Sequence, residues 1–528
     1  MADGSGFSIG PALPGRNEGD ARSSGGVPHR DRIIEAVLAE GATFWPDADG
    51  AAHVTLPAGA GIGPRRYRVA SPDFRMVVRQ VIARRHPRTL PNGKSIPGSA
   101  SDTAMNEALP TLEAMALDRP KRDAGVRVCL TDGAVWLDLG RPDWSVVRVT
   151  ADGWEILPGA DVPLLRPSSM RPMPVPVQSA DAPAVMQDLR ALLNLPAGDD
   201  AALMLCVAWL VAALYPTGPF TVLALDGEQG CGKSTACRVL RRLVDPNKAD
   251  LRAPSRNEDD LIIAAQQSRV VAFDNVSTMD ADMADSLCRL ATGSAMSKRT
   301  LFTDGQEHVV EVCRPILLNG IPSLLGRGDL ADRALAITLP VIRDSDRQTE
   351  AALRTAFDDA APVLLGALLD GLALAMRTKD AVNLPMPRMA DFARLACAAA
   401  PVFGWTAEAV LAAIEHNRAE AVTAVIESDP VAVAVLELAR QGYWSGTGSE
   451  LLTELGRRVP EAQQRERVYP RDAARLSKCL RRFAPALRCQ GVDVTLPSGG
   501  GRAGRIITIQ AGPIAGQRSG ADDEAGYL

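Results

Sequence analysis

The chain has 528 residues, 46% of them hydrophobic, so it is too long for one core and apolar enough to bury several. Its net charge of -5 and pI of about 5.7 exclude a protein that coats nucleic acid with its whole surface, and leave room only for local contacts of that kind. The nine cysteines form no C-x-x-C pair and take no zinc spacing with histidine; with no signal peptide, they point to a reducing, cytoplasmic setting.

Residues 1–28 are rich in Gly, Ser, Pro and Asp and read as a disordered tail. Residues 29–165 predict an α+β domain whose role the sequence does not reveal. Ile33, Ile34, Val37 and Leu38 sit at helical spacing. Stretches 126–130, 134–139 and 145–149 alternate like strands, with turns at Asp132-Gly133 and Asp152-Gly153. The proline-rich run 166–178 reads as a linker. The longest apolar run, 201–214, is too short to span a bilayer and predicts a buried helix, so no membrane partner is expected.

Within 179–345 a helical lead-in is stopped by Pro216 and Pro219, and apolar stretches 220–225, 269–273, 315–318 and 335–339 predict four buried strands separated by helices. That alternation implies a parallel sheet covered on both faces. Residues 346–427 are rich in Ala and Leu and predict helices; 428–512 turn basic; 513–528 read as a second disordered tail.

Between the first strand and its helix, Gly227-Glu228-Gln229-Gly230-Cys231-Gly232-Lys233-Ser234 fits G-x-x-x-x-G-K-[ST], with Thr235 next. The glycines let consecutive N–H groups face phosphates, and the helix N-terminus adds its dipole. Lys233 supplies positive charge at the β and γ phosphates and Ser234 a hydroxyl ligand for Mg²⁺. Cys231 reads as a small filler. This pattern predicts binding and hydrolysis of ATP with Mg²⁺.

The second strand ends in Asp274-Asn275, which places an acid beside the phosphate loop as a second Mg²⁺ ligand. Asn275 cannot act as a base, although it can orient water; Asp280 and Asp282 are alternative acids for that work. The third strand ends in Asn319-Gly320, an amide placed to hold the attacking water. Arg333, just before the fourth strand, and Arg327, in the loop leading to it, are candidates for an arginine finger reaching a neighbouring subunit's γ-phosphate. Lys298 and Arg299 precede Asp304-Gly305, a strong hairpin signal.

A phosphate loop, an acid-ended strand, a hairpin, an Asn-ended strand and then an arginine resemble, in that order, superfamily 3 helicases, the AAA+-like ring ATPases of viruses, phages and mobile elements. Over about residues 180–425 the chain is similar to the helicase half of phage-type primase-helicases, carried by Leu225-Asp-Gly-Glu-Gln-Gly, Ala272-Phe-Asp-Asn, Leu290-Ala-Thr-Gly, Leu317-Leu-Asn-Gly-Ile and Asp332-Arg-Ala-Leu. The resemblance implies a P-loop core, a hexameric homo-oligomer, single-stranded DNA in the ring tracked by Lys298 and Arg299, and a primase on a separate chain. Asn275 departs from the acidic pair usual in that family.

From Pro470 a helix carries Arg471, Arg475, Lys478 and Arg482 at i, i+4, i+7 and i+11, hence on one face. Strands at 492–496 and 505–509 flank a glycine-rich tip with Arg502 and Arg505. Preceded by helices at 431–438 and 448–455, the block resembles a winged helix-turn-helix that binds duplex DNA. The combined expectation is an ATP-dependent DNA helicase or translocase of a phage-like or mobile-element replication system. The rivals are a DNA-bound ATP switch of low turnover and a P-loop small-molecule kinase.

Overall fold

The computed structural model describes residues 28–59, 62–255, 257–276, 279–299, 307–320, 328–466, 469–496 and 506–512. The two expected tails, Arg327, Arg502, Arg505 and the Asp304-Gly305 turn lie outside the described residues.

The chain begins with α1 (His29–Leu38), an antiparallel sheet of β1 (Thr43–Pro46), β2 (Ala52–Leu56) and β3 (Arg65–Arg68), α2 (Pro72–Arg85), a short hairpin of β4 (Arg88–Thr89) and β5 (Ser95–Ile96), and α3 (Asp102–Leu117). Ser71 and Ser101 cap α2 and α3 by accepting from the N–H groups of Phe74 and Ala104. Ile33, Val54, Phe74, Val78, Met105 and Leu112 meet in one closed core.

Next come β6 (Gly125–Val126), a meander of β7 (Val128–Thr131), β8 (Ala134–Asp138), β9 (Val146–Thr150) and β10 (Gly153–Leu157), and β11 (Leu164–Leu165) beside β6. The expected strand at 126–130 is split because Arg127 takes a left-handed φ of 69°. The meander does not belong with the first core. Its inner residues Val128, Val135, Leu137, Val147 and Val149 join the main core of the molecule instead. The boundary expected at residue 165 is thereby corrected: a lone meander cannot cover its apolar face, and the helices that follow in the chain cover it.

The proline-rich segment 166–178 is likewise not a free linker. Its backbone is stapled along the core: Arg171 N donates to Pro246 O at 3.0 Å, Met173 N to Leu139 O at 2.8 Å, and Val177 N to Pro362 O at 3.0 Å. Prolines cannot donate, but the residues between them find partners one by one.

Arg127 is the buried rivet of this contact. Its guanidinium donates to Asp138 O, Arg171 O and Pro246 O and reaches the Asp245 carboxylate at 3.3 Å. Asp245 Oδ2 also accepts the N–H groups of Arg269 and Val270 at 2.9 and 3.0 Å. Asp245→Ala therefore strands a fully buried cation and two buried donors at once. We expect it to lower folding stability by about 3–5 kcal/mol, read as a lowered urea midpoint; an unchanged midpoint would show that the carbonyls alone satisfy Arg127.

The main body starts with α4 (Ala182–Leu192) and α5 (Asp200–Leu214). It continues through β12 (Val222–Asp226), α6 (Lys233–Val244), α7 (Glu258–Gln266), β13 (Val271–Val276) and α8 (Ala281–Thr292). A hairpin of β14 (Met296–Arg299) and β15 (Glu307–Val310) follows, then β16 (Ile316–Gly320), α9 (Gly328–Ala331) and β17 (Ala334–Thr338). The sheet is all parallel in the order β13-β16-β12-β17. Alternate residues of its strands face opposite cores. Leu223, Leu225, Ala272, Leu317 and Ile337 join α5, α6 and the meander. Val222, Ala224, Val271, Phe273, Ile316 and Leu318 join α7, α8 and the C-terminal elements. Both faces are buried, which is why the strands read as continuous apolar runs.

α10 (Glu350–Thr378), α11 (Ala390–Ala399) and α12 (Ala407–Glu427) follow. With its extension to Ala381, α10 is long and apolar enough by length and composition to cross a membrane, a longer candidate than the 201–214 run; 61% of its apolar window is buried inside the fold, as in a core helix. From α12, Asn417 accepts from Ala336 N at 2.8 Å and donates to Ala336 O at 2.6 Å, satisfying the outer edge of β17.

The last block contains α13 (Pro430–Arg440), β18 (Trp444–Thr447), α14 (Gly448–Gly456), α15 (Glu461–Gln464), α16 (Ala473–Cys489), β19 (Val492–Thr495) and β20 (Ile506–Ala511). Its antiparallel sheet has the order β18-β20-β19. β18 was not expected, because Trp-Ser-Gly-Thr carries no alternation of its own and pairs only once β20 is beside it.

Candidate phosphate-binding site

The loop 227–232 leaves the sheet at the carboxyl end of β12 and turns directly into α6. Gly227, Gly230 and Gly232 have φ of 134°, 89° and 85°, conformations that side chains disfavour. Space is short as well: a Cβ on Gly227 would lie 2.7 Å from Leu339 O. Glu228, Gln229 and Gly230 form the exposed crown, while Cys231 is completely buried, as befits a filler.

Lys233 lies at the start of α6 and curls back over the loop. Its Nζ donates to Gly227 O at 2.7 Å and to Glu228 O at 2.8 Å, with Cys231 Sγ at 3.6 Å. The cation is thus held by carbonyls over the glycine loop and not in the core. Beneath it, burial pushes the Asp226 carboxyl above its usual range, against a hydrogen bond from Thr338 and the charge of Lys233.

Ser234 and Asp274 meet across two elements, with Ser234 Oγ donating to Asp274 Oδ1 at 2.8 Å. One hydroxyl and one carboxylate oxygen at the mouth of a glycine loop suit Mg²⁺ carried by a triphosphate, which keeps most of its other ligands as water and phosphate. Thr235 is half-buried in the same turn. Among the described residues no group of three or more His, Cys, Asp or Glu side chains could hold a metal by itself.

β16 runs between β12 and β13, so Asn319 lies between the loop and Asp274. Its amide has two partners: Asn319 Oδ1 accepts from Asn275 N at 2.6 Å and Nδ2 donates to Cys237 Sγ at 3.5 Å. Asn319 is 1% exposed. Its amide fixes the backbone of the neighbouring strand end. Asn275 has a φ of 54° at a bulge in the pairing of β13 with β16 and is exposed. Asparagine accepts the left-handed region more readily than glutamate does, which gives the departure from an acidic pair a backbone reason. Asp280 spends its carboxylate capping α8, accepting from Met283 N at 2.8 Å, and Asp282 is exposed on the first turn.

Arg333 stands at the opposite end of the sheet from its own loop. Val222 N donates to Arg333 O at 3.0 Å, which registers it with the first residue of β12. Five residues of strand separate that level from Gly227, about 16 Å at roughly 3.3 Å per residue. Its guanidinium donates to Asp329 O at 2.8 Å.

Lys298 and Arg299 lie on β14, paired in register with His308 and Glu307 of β15. In the C-terminal block, Arg471 precedes α16, which Asp472 caps, so it is not part of the helical stripe. Arg482 donates to Asp429 Oδ2 at 3.0 Å and is tied to the start of α13. Arg475 and Lys478 are exposed, and so is Arg481, which was not anticipated. By helix geometry Lys478 lies opposite the buried stripe of Leu476, Leu480 and Phe483, with Arg475 and Arg481 on either side.

Two further residues touching the loop had no signal in the sequence. Asn194, in the turn between α4 and α5, donates to Cys231 O at 3.0 Å and Pro340 O at 2.8 Å, clamping the loop to the exit of β17. Arg347 lies beyond β17, and its Nη2 would be 3.3 Å from a Cβ on Gly230. Both are distant from the loop in sequence and belong to no motif.

Residues 186–419 match the family model described as the actinomycete integrative conjugative element replication protein, and residues 431–520 match the AICE RepA C-terminal domain. The chain is therefore a replication protein of a mobile element. More particularly, it is similar over these two stretches to the RepA proteins of actinomycete integrative conjugative elements. No match was found among curated proteins. Among solved structures, the A form apo structure of the NrS-1 C-terminal region is 14% identical, with 91% of this chain and 99% of that chain covered, at a TM-score of 0.40. The apo structure of the NrS-1 C-terminal region 305–718 is also 14% identical, with 92% and 100% covered, at 0.38. Likeness at this level is too distant to assign a function.

Proposed function

We propose that this replication protein is an ATP-dependent DNA helicase or translocase that works as a ring. The observation that carries the reading is the meeting of Ser234 and Asp274 at the mouth of the 227–232 glycine loop, with Lys233 held over that loop. Lys233 neutralises the β and γ phosphates, and the loop N–H groups and the start of α6 receive them. Ser234 and Asp274 would hold Mg²⁺, which would supply charge stabilisation for phosphoryl transfer. Asn275 orients the attacking water, and Asn319 positions Asn275. Arg347 places a further cation at the crown of the loop. Arg333 completes the site of the next subunit, and Lys298 and Arg299 face DNA in the ring.

A low-turnover ATP switch is favoured by one observation: Asn275 offers no carboxylate where the attacking water would need a base. Steady-state ATP turnover with and without single-stranded DNA separates the two. Strong stimulation by DNA supports the motor; slow turnover insensitive to DNA supports the switch and overturns the motor.

The order helix, strand, three helices and two strands in residues 430–511 supports a winged helix-turn-helix whose α16 enters the major groove of duplex DNA. Arg475, Lys478 and Arg481 then contact the DNA. Replacing all three with Ala in the full chain is expected to flatten the slope of log affinity against log salt by about 2–3. An unchanged slope would mean that this face is merely solvated.

A further inference from the structure

The first core carries a charge imbalance that nothing above uses. Between residues 65 and 94 stand eight arginines and Lys94 against a single carboxylate, Asp73, in a chain whose net charge is -5. One of these cations is structural: Arg66 is 2% exposed and donates to Leu164 O and Ala160 O. The others lie on β3, on α2 and on the β4–β5 hairpin that follows it.

The acids that reach this surface from neighbouring elements do not balance it. Arg79 pairs with Asp102 of α3, and Arg75 meets only the neutral amide of Asn106. Arg84 and Arg85 share one carboxylate, Glu40. Burial pushes the Glu40 carboxyl up, but hydrogen bonds and charge from Arg85 and Arg84 outweigh it and hold it below its usual range. Glu40 is thus ionised, and one positive charge remains over. Arg68, Arg88 and Lys94 are exposed.

The hairpin has a firm base. Gly98 N donates to Ala83 O at 3.2 Å, and a Cβ on Gly98 would lie 2.0 Å from His86 O. Only glycine lets the returning strand pass so close under the end of α2. A basic hairpin is therefore fixed beside the C-terminal end of α2, where Arg84 and Arg85 stand.

We propose that α2 and the β4–β5 hairpin form a second duplex-DNA surface, reading the phosphate backbone without sequence preference. Arginine dominates the charge, and its planar fork suits phosphate oxygens. Arg84 and Arg85 at the end of α2 are followed directly by Arg88 and Lys94 on the hairpin, a succession that suits neighbouring phosphates. A single strand is disfavoured because base stacking needs exposed aromatic rings. Tyr67 is packed against Phe74 and Trp144, and Phe74 is completely buried. This surface does not depend on the ATPase reading.

The test uses the full chain with Arg475, Lys478 and Arg481 already replaced by Ala, so that the C-terminal block is silent. Fluorescence anisotropy with a labelled random-sequence duplex should still show salt-dependent binding. Adding Arg88→Glu and Lys94→Glu should weaken it at least about tenfold and flatten the salt slope by about 2, and Arg88→Gln with Lys94→Gln should give a smaller loss. The thermal unfolding curve should not move, since both side chains lie outside the core. Unchanged duplex affinity in the hairpin variants would overturn the proposal, as would equally strong loss with a single-stranded oligonucleotide.

Discussion

Lys233→Ala is expected to lower ATP turnover by at least on the order of 10²–10³-fold while leaving the unfolding midpoint in place. The two halves of that expectation have separate causes. The ammonium is held by the carbonyls of Gly227 and Glu228 over the phosphate loop, so its loss removes charge from the site and not packing from the core. Asp274→Ala is expected to lose turnover on a similar scale, and Asp274→Asn should follow it, because the amide keeps the shape and discards the charge. If Asp274 is a Mg²⁺ ligand, residual turnover in Asp274→Asn should require more Mg²⁺ than wild type. Turnover unchanged in Lys233→Ala would remove the nucleotide reading altogether.

The glycine loop at 227–232, turning from a strand into a helix, was legible because its constraints are local. Three glycines with positive φ, a preceding apolar strand and a following helix all lie within about two dozen residues, and each leaves a mark on composition. The parallel sheet was legible for the same reason, since burial on both faces makes its strands continuous apolar runs. What escaped depends on contacts between distant segments. The meander at 128–157 looked like part of the N-terminal domain until its apolar face was seen against the main core. Residues 166–178 looked like a linker because prolines suggest solvent, yet the N–H groups of Arg171, Met173 and Val177 are bonded to the body. Asn275 looked like a missing base. Its φ of 54° shows a backbone preference that one-letter codes do not display. Asn194 and Arg347 reach the loop from other elements, so no spacing rule could have found them.

The position of Arg333 leads to the last expectation. It immediately precedes β17, and its carbonyl accepts from Val222 N, while the loop it would serve lies at the other end of β12. Within one chain it cannot reach its own phosphate loop, so any catalytic role must be exercised on a neighbour. Arg333→Ala is therefore expected to abolish turnover only in assembled rings, by on the order of 10³-fold if it acts as an arginine finger. Mixing gives the sharper test. Arg333→Ala subunits keep a working loop, and Lys233→Ala subunits keep a working arginine. In rings assembled from equal amounts of both, about one site in four pairs an intact loop with an intact neighbouring arginine, so about a quarter of wild-type turnover should return. Asp329 offers the competing explanation, because Arg333 already donates to its carbonyl at 2.8 Å and a purely structural arginine would hold α9 to β17. A structural role predicts a lowered unfolding midpoint in Arg333→Ala and no recovery on mixing. Rings shown to contain both subunits yet inactive would assign Arg333 to that role, and a chain that stays monomeric with ATP and DNA would leave the switch as the reading that stands.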